Sequence, residues 1–261
     1  MSDDRPRLPV IRLTPKAEVR AIRHGFPWVY ANEVVMDRRT RKIASGTIAV
    51  LEDANRQSLG LVGVNPASKI IGRMLDRSTA VSIDQAWFET RLTHALEHRE
   101  RLYNEPYYRL VHAEADGLPG VIIDRFGDVA VVQPNAAWAD ILITPLVDAL
   151  VAVTGVATVI VNGTGRARGL EGLPDVMEVA RGTAPDKPLP VTMNGATYLA
   201  DVMGGQKTGL FFDRGPIMPL LRVWRRAQRF WMCFHMWVAL GLQRLRTAQQ
   251  RCWPSMVLPM R

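Results

Sequence analysis

Cysteine is almost missing from this chain. Its 261 residues hold two, Cys233 and Cys252, which excludes a disulfide framework as the source of stability. Long apolar runs are missing too: no stretch approaches the roughly 18–20 residues that cross a bilayer as a helix. The opening, MSDDRPRLPV, is acidic and polar and lacks the apolar core of a secretory signal. The cytoplasm is therefore the expected compartment, and no membrane contact is expected. A third absence is local. Residues 214–261 contain no Lys, Asp, Glu, Asn or Tyr, yet carry nine Arg, four of the seven Trp and five of the eleven Met. The formal charge of +8 lies in this segment, because residues 1–213 set 24 Lys and Arg against 25 Asp and Glu. Overall basicity thus says nothing about nucleic acid for the body of the chain.

What is present reads as a chain of small domains. Residues 8–78 form a β-rich module: the runs beginning at Ile48, Ser58 and Ile70 mix β-branched residues with glycine, as short strands do. Lys16–Gly25 is a short helical candidate that Gly25 and Pro27 stop. Residues 82–188 alternate helix and strand, which predicts an α/β or α+β layer. In it, Asp84 caps a helix over 82–104. The runs from Val121 and Val129 pair across Gly127-Asp128. A helix over Ala137–Val153 and a strand from Thr158 follow, then a loop from Gly163 to Gly172. Pro185, Pro188 and Pro190 mark a linker, and residues 189–213 open with a hairpin tipped by Asn194-Gly195.

Several motifs invite chemistry. The turn from Gly204 to Gly209 lacks the spacing of a Walker loop, so a glycine turn between strands is the simpler reading. His24, Phe26 and Trp28 offer a cation and stacking faces to RNA bases, although Trp28 equally suits a core. His112, Glu114, Asp116 and Asp124 would need to converge to hold a metal, which spacing alone does not support; no metal is assigned. Arg166 and Arg168, set among glycines, read as solvated loop cations.

These residues carry a resemblance. Arg23-His-Gly-Phe-Pro-Trp-Val-Tyr resembles the start of the PUA RNA-binding module of class I, S-adenosylmethionine (SAM)-dependent ribosomal RNA methyltransferases of the large-subunit methyltransferase I type. Tyr108–Asp128, Asn162 and the run Arg168-Gly-Leu-Glu-Gly-Leu-Pro are similar to its central domain. Gly205-Gln-Lys-Thr-Gly-Leu-Phe-Phe-Asp matches the segment leading into its Rossmann-like methyltransferase domain. The resemblance covers about residues 8–213. It implies a multidomain α/β fold: a PUA module, a central domain, and the first hairpin of the methyltransferase domain at 189–213. It also implies SAM as cofactor, ribosomal RNA as partner, a homodimer as in the family, and methylation of cytosine C5. By the same token Lys207, Thr208, Phe212 and Asp213 would line the cofactor pocket, and Arg23, His24 and Trp28 would face RNA. The family's nucleophilic cysteine lies beyond the matching segment, so no catalytic residue is assigned, and Cys233 and Cys252 receive no role.

The family continues Asp-Gln-Arg where this chain has Asp213-Arg214-Gly. Residues 230–238 (FWMCFHMWV) are encoded largely by forced codons. Begun one base earlier, they read Leu-Asp-Val-(Phe/Leu)-(Ser/Pro)-(His/Tyr)-Val-Gly, an apolar strand ending in Asp and then a glycine turn, as nucleotide-binding folds require. Residues 252–257 similarly permit a second strand ending in Asp. Residues 214–261 are therefore expected to be out of frame and the polypeptide to be catalytically silent. The contrasting expectations are a standalone RNA-binding fragment and a genuine basic amphipathic helix in the tail.

Overall fold

In a computed structural model, the protein is described over residues 8–193, 195–204, 208–210 and 212. It is a mixed α/β chain. The first sheet has the order β1-β3-β4-β5-β2, from β1 (Val10–Arg12), β2 (Trp28–Tyr30), β3 (Thr47–Glu52), β4 (Ser58–Val64) and β5 (Ile70–Asp76). The chain after β2 returns to β1: Leu13 bridges Val34, and the Val35 amide donates to the Arg12 carbonyl at 2.8 Å. The sheet thus curls on itself around Ile11, Leu13, Val29, Leu51, Val62 and Ile71. Helix α1 (Val19–Arg23) buries Ile22 against this core and ends where Gly25 adopts φ +108. A side chain strains at that angle, so glycine is the residue that fits.

The second sheet runs β10-β9-β8-β7-β6. Strands β6 (Tyr107–His112), β7 (Val121–Phe126) and β8 (Val129–Pro134) form an antiparallel meander, and β9 (Thr158–Asn162) lies parallel to β8. The parallel step needs a crossover, supplied by α3 (Ala137–Ile141) and α4 (Ile143–Thr154). β10 (Met177–Arg181) then closes the edge against β9.

The helix expected over Ala137–Val153 is two helices, broken at Leu142. Pro145 gives the reason. Its ring would meet the carbonyl four residues back, at Ile141, so a helix cannot run through it, whereas a first turn tolerates it.

Strand alternation divides this sheet into two faces. Leu110, Val121, Ile123, Ala130, Val132 and Val159 face α4 and α2 (Gln85–Glu100), which is capped by Asp84 at the Trp87 amide. Phe126, Val131 and Ile160 face the other way. There they meet Val191 and Ala200 of a two-stranded hairpin, β11 (Leu189–Met193) and β12 (Ala196–Ala200), with Val202 and Phe212. The central sheet is thus covered by helices on one face and by the hairpin segment on the other.

Candidate nucleic-acid interface

The β1–β5 sheet and the central sheet meet through a polar cluster. The loop after α5 (Arg166–Leu170) brings Glu171 to the turn between β4 and β5. Its carboxylate, buried, accepts from Asn65 Nδ2 (2.9 Å), Ser68 Oγ (3.0 Å) and Arg73 Nη2 (2.9 Å). Arg73 gives its other terminal nitrogen to Glu114 at 3.3 Å, and Glu114 also accepts from Trp28 Nε1 at 2.8 Å. Beside this cluster Gly63 lies against Trp138: a Cβ there would sit 2.6 Å from the indole side chain, so only glycine permits the approach. Trp138 is itself buried and donates Nε1 to the Pro119 carbonyl.

Above the seam lies an open aromatic set. Phe26, Trp28 and Tyr30 have ring centroids 6.0–6.5 Å apart, and Phe26 and Tyr30 are 40% and 36% exposed. Trp28 is half-buried, its nitrogen already committed to Glu114. Arg23 and His24 are exposed alongside, although Arg23 pairs with Asp53 at 3.0 Å. Of the three residues expected to meet RNA, His24 and Arg23 are exposed, Arg23 while paired with Asp53, and Trp28 serves the seam between the sheets while staying in the aromatic set. Phe26 and Tyr30, beyond the three residues expected to meet RNA, are the exposed rings of the set. Alternation along β2 was the available signal, since Trp28 and Tyr30 share a face.

Phe26 also lines a cleft of about 380 Å³ between Gly25–Pro27 and Met74–Arg77 on one side and Glu114, Gly117 and Pro119 on the other. Arg91 forms part of its wall. It stacks 3.5 Å over the Trp87 ring, donates to the carbonyls of Leu75 and Gly117, and pairs with Asp76 at 2.9 Å. Burial pulls the Arg91 guanidinium below its ordinary value, while Asp76 pulls it back up. Burial alone would raise the Asp76 carboxyl. Hydrogen bonds from the Ser78 amide, the Trp87 indole and Arg91, with the Arg91 charge, outweigh that, so it is held below the ordinary carboxylate range.

The residues expected to line a cofactor pocket divide. Lys207 and Asp213 lie outside the described residues. Thr208, fully buried, donates its hydroxyl to Asp124 at 2.6 Å; Asp124, also fully buried, is held bidentate by Arg109 at 2.8 and 3.1 Å. Phe212 packs on Phe126 with centroids 5.0 Å apart. Both therefore anchor the segment after the hairpin onto the central sheet.

The four groups that would need to converge on a metal, His112, Glu114, Asp116 and Asp124, are dispersed among other partners. Glu114 serves Trp28 and Arg73, Asp116 binds Arg99 and the His112 amide, and Asp124 binds Arg109 and Thr208. Among the described residues no group of His, Cys, Asp and Glu is placed to hold a metal.

Arg168 corrects the expectation of a solvated loop cation. It is 2% exposed and donates to the carbonyls of Pro174 and Pro134 and to Asp140 at 2.6 Å. Gly163 makes room, since a Cβ there would lie 2.7 Å from Arg168 Nε. Arg166 is exposed, as expected.

Comparison with known proteins adds the following. A PUA-like domain profile matches residues 11–77. Ribosomal RNA large subunit methyltransferase I of Citrobacter koseri is 31% identical over 222 residues, covering 84% of this chain and 56% of that protein. The protein of the same name from Salmonella enteritidis is 32% identical over 232 residues, covering 88% and 57%. This chain spans a little over half the length of the curated relatives it matches. The matched span exceeds residues 1–213, so the likeness runs some way past Asp213, where the motifs had placed its end. Among solved structures, a Streptococcus mutans protein described as a candidate SAM-dependent methyltransferase superposes with TM-score 0.67 at 17% identity, covering 82% of this chain and 54% of that one. A second methyltransferase candidate, solved with SAH, gives 0.63 at 17%, covering 80% and 51%. At that identity the two structures speak for the fold alone.

Proposed function

We propose that this chain, a relative of ribosomal RNA large subunit methyltransferase I across most of its length, is the RNA-gripping part of a SAM-dependent ribosomal RNA methyltransferase. The observation that carries this reading is the exposed Phe26–Trp28–Tyr30 set, flanked by Arg23 and His24, on a PUA-like module joined to a central domain through Glu171 and Arg73. Open rings beside cations are what unpaired RNA bases stack on. The neighbouring cleft has room for one unstacked nucleoside, and the Asp76 and Glu114 carboxylates on its wall accept from the amino groups of bases.

Residues 189–213 are, in this proposal, the opening hairpin of a Rossmann-like methyltransferase domain, docked on the central sheet by Thr208 and Phe212. SAM would supply the methyl group, with Lys207 and Asp213 beside it and Thr208 and Phe212 holding the segment in place. The acceptor is cytosine C5, following the motif resemblance. Because the likeness to the relatives runs some way past Asp213, the out-of-frame stretch is proposed to begin beyond that point, within residues 214–261, which leaves the polypeptide able to bind RNA and unable to methylate it. The cytoplasm follows from the ribosomal RNA partner.

The test is binding of a labelled single-stranded ribosomal RNA fragment to the full chain. Because each stacked base is worth about 1–3 kcal/mol, Phe26→Ala with Tyr30→Ala should weaken binding at least about 10-fold while the melting curve is kept. Unchanged affinity would overturn the assignment of this face. A second reading, that residues 214–261 are a genuine basic segment that itself binds RNA, is favoured by their nine Arg. It predicts binding that depends on the tail, so deleting 214–261 separates the two.

A further inference from the structure

The most concentrated exposed charge among the described residues stands apart from the aromatic set. It is the turn Asp37-Arg-Arg-Thr-Arg-Lys42, which carries four exposed cations in five positions: Arg38, Arg39, Arg41 and Lys42. Among the described residues, none of the four forms an ion pair. Runs like this are usually mobile, self-repelling surface. Here the backbone beneath them is fixed. Asp37 Oδ1 accepts from the amides of Arg39 (2.9 Å) and Thr40 (2.8 Å). The buried Thr40 hydroxyl donates to the Val35 carbonyl, and Arg41 Nε donates to the Met36 carbonyl. The hydrogen bond donated by the Thr40 amide, chief among the causes, holds the Asp37 carboxyl below its ordinary value, so it stays ionised as the staple of this turn.

The turn also has a neighbour of the same sign. It leads into β3 beside the β4–β5 turn, to which Ser45 Oγ ties it through Asn65 at 3.0 Å. That second turn carries exposed Lys69, whose carbonyl accepts from the Ala31 amide, the residue after exposed Tyr30. The acids nearby are occupied: Glu33 caps the Tyr30 amide, and Glu171 holds Asn65, Ser68 and Arg73.

We propose that the 37–42 turn with Lys69 is a second RNA contact, gripping successive phosphates of the strand whose bases meet the aromatic set. It takes the sugar–phosphate backbone without reading sequence, and supplies affinity and register while the rings take bases. Arginine suits the task because its planar fork meets phosphate oxygens two at a time. The site rests on the RNA-binding reading above and adds where the backbone runs.

The measurement is the dependence of RNA affinity on salt for the full chain, with a labelled 20-nucleotide single-stranded RNA. Each phosphate neutralised on a single strand contributes about −0.7 to the slope of log Kobs against log salt. The variant Arg38→Gln/Arg39→Gln/Lys42→Gln, which leaves Arg41 to hold the turn, should make the slope shallower by about 2. Arg38→Lys/Arg39→Lys should restore it. Phe26→Ala/Tyr30→Ala should lower affinity with the slope unchanged. A triple variant that keeps the parental slope, while the ring variant weakens binding, overturns the phosphate contact and leaves the RNA reading standing. A parental chain that binds no RNA overturns both. Should the triple variant fail to melt as the parent does, Arg38→Gln and Lys42→Gln singly must each shift the slope by about 0.7, and no shift in either overturns the proposal.

Discussion

The central sheet is held on two sides by carboxylates that work in opposite ways. Toward the PUA-like module, Glu171 and Glu114 share Arg73 in a cluster with five donors spread over two sheets, partly open to solvent. Toward the hairpin, one fully buried carboxylate, Asp124, gathers Arg109 and Thr208 inside an apolar face. The first seam spreads its charge and keeps alternatives: losing one bond leaves the others. The second concentrates everything on one group that has no water to fall back on.

Breaking that contrast gives effects of decreasing size. Asp124→Ala should cost most. It takes the bidentate partner from Arg109 and leaves the Thr208 hydroxyl with the Leu210 carbonyl alone, and removal of one partner of a buried pair costs about 3–5 kcal/mol. Urea unfolding measures it, and limited proteolysis should find the 189–212 segment cut far sooner than in the parent. Glu171→Ala should cost less, about 2–3 kcal/mol, because Arg73 keeps Glu114 while Asn65 and Ser68 lose an acceptor. The same urea curves compare the two directly, and equal losses would erase the contrast.

The smallest effect concerns acid. Asp76 is held below the 3.8 of a free aspartate. Its contribution is therefore complete above about pH 4 and fades as pH falls through the lowered folded value. Asp76→Asn should flatten the acid limb of melting temperature against pH and leave the neutral region nearly unmoved. An unchanged acid limb would show that the Trp87–Arg91 arrangement does not depend on that charge.

Local chemistry was legible in the sequence, and distant pairing was not. The β7–β8 hairpin across Gly127-Asp128, the Asp84 cap and the glycine-rich strand β4 all follow from neighbours a few residues apart. Pro145 carried the break between α3 and α4, yet an apolar helical period across 137–153 hid it. Arg168 looked solvated because nothing within its loop foretells Pro134 and Asp140, which lie 34 and 28 residues back. Glu171 reaches Asn65 across 106 residues, and Asp124 reaches Thr208 across 84. The same limit applies to the proposed RNA face. Trp28 was singled out as a flat ring beside cations, but its hydrogen bond to Glu114 across 86 residues draws it into the seam and leaves Phe26 and Tyr30 as the open rings.

One measurement tests the central claim most directly. The full chain is incubated with tritium-labelled SAM and ribosomal RNA, and both retained RNA and transferred label are counted. The proposal predicts RNA retained in a salt-dependent manner with label at background; label appearing in cytosine would contradict it.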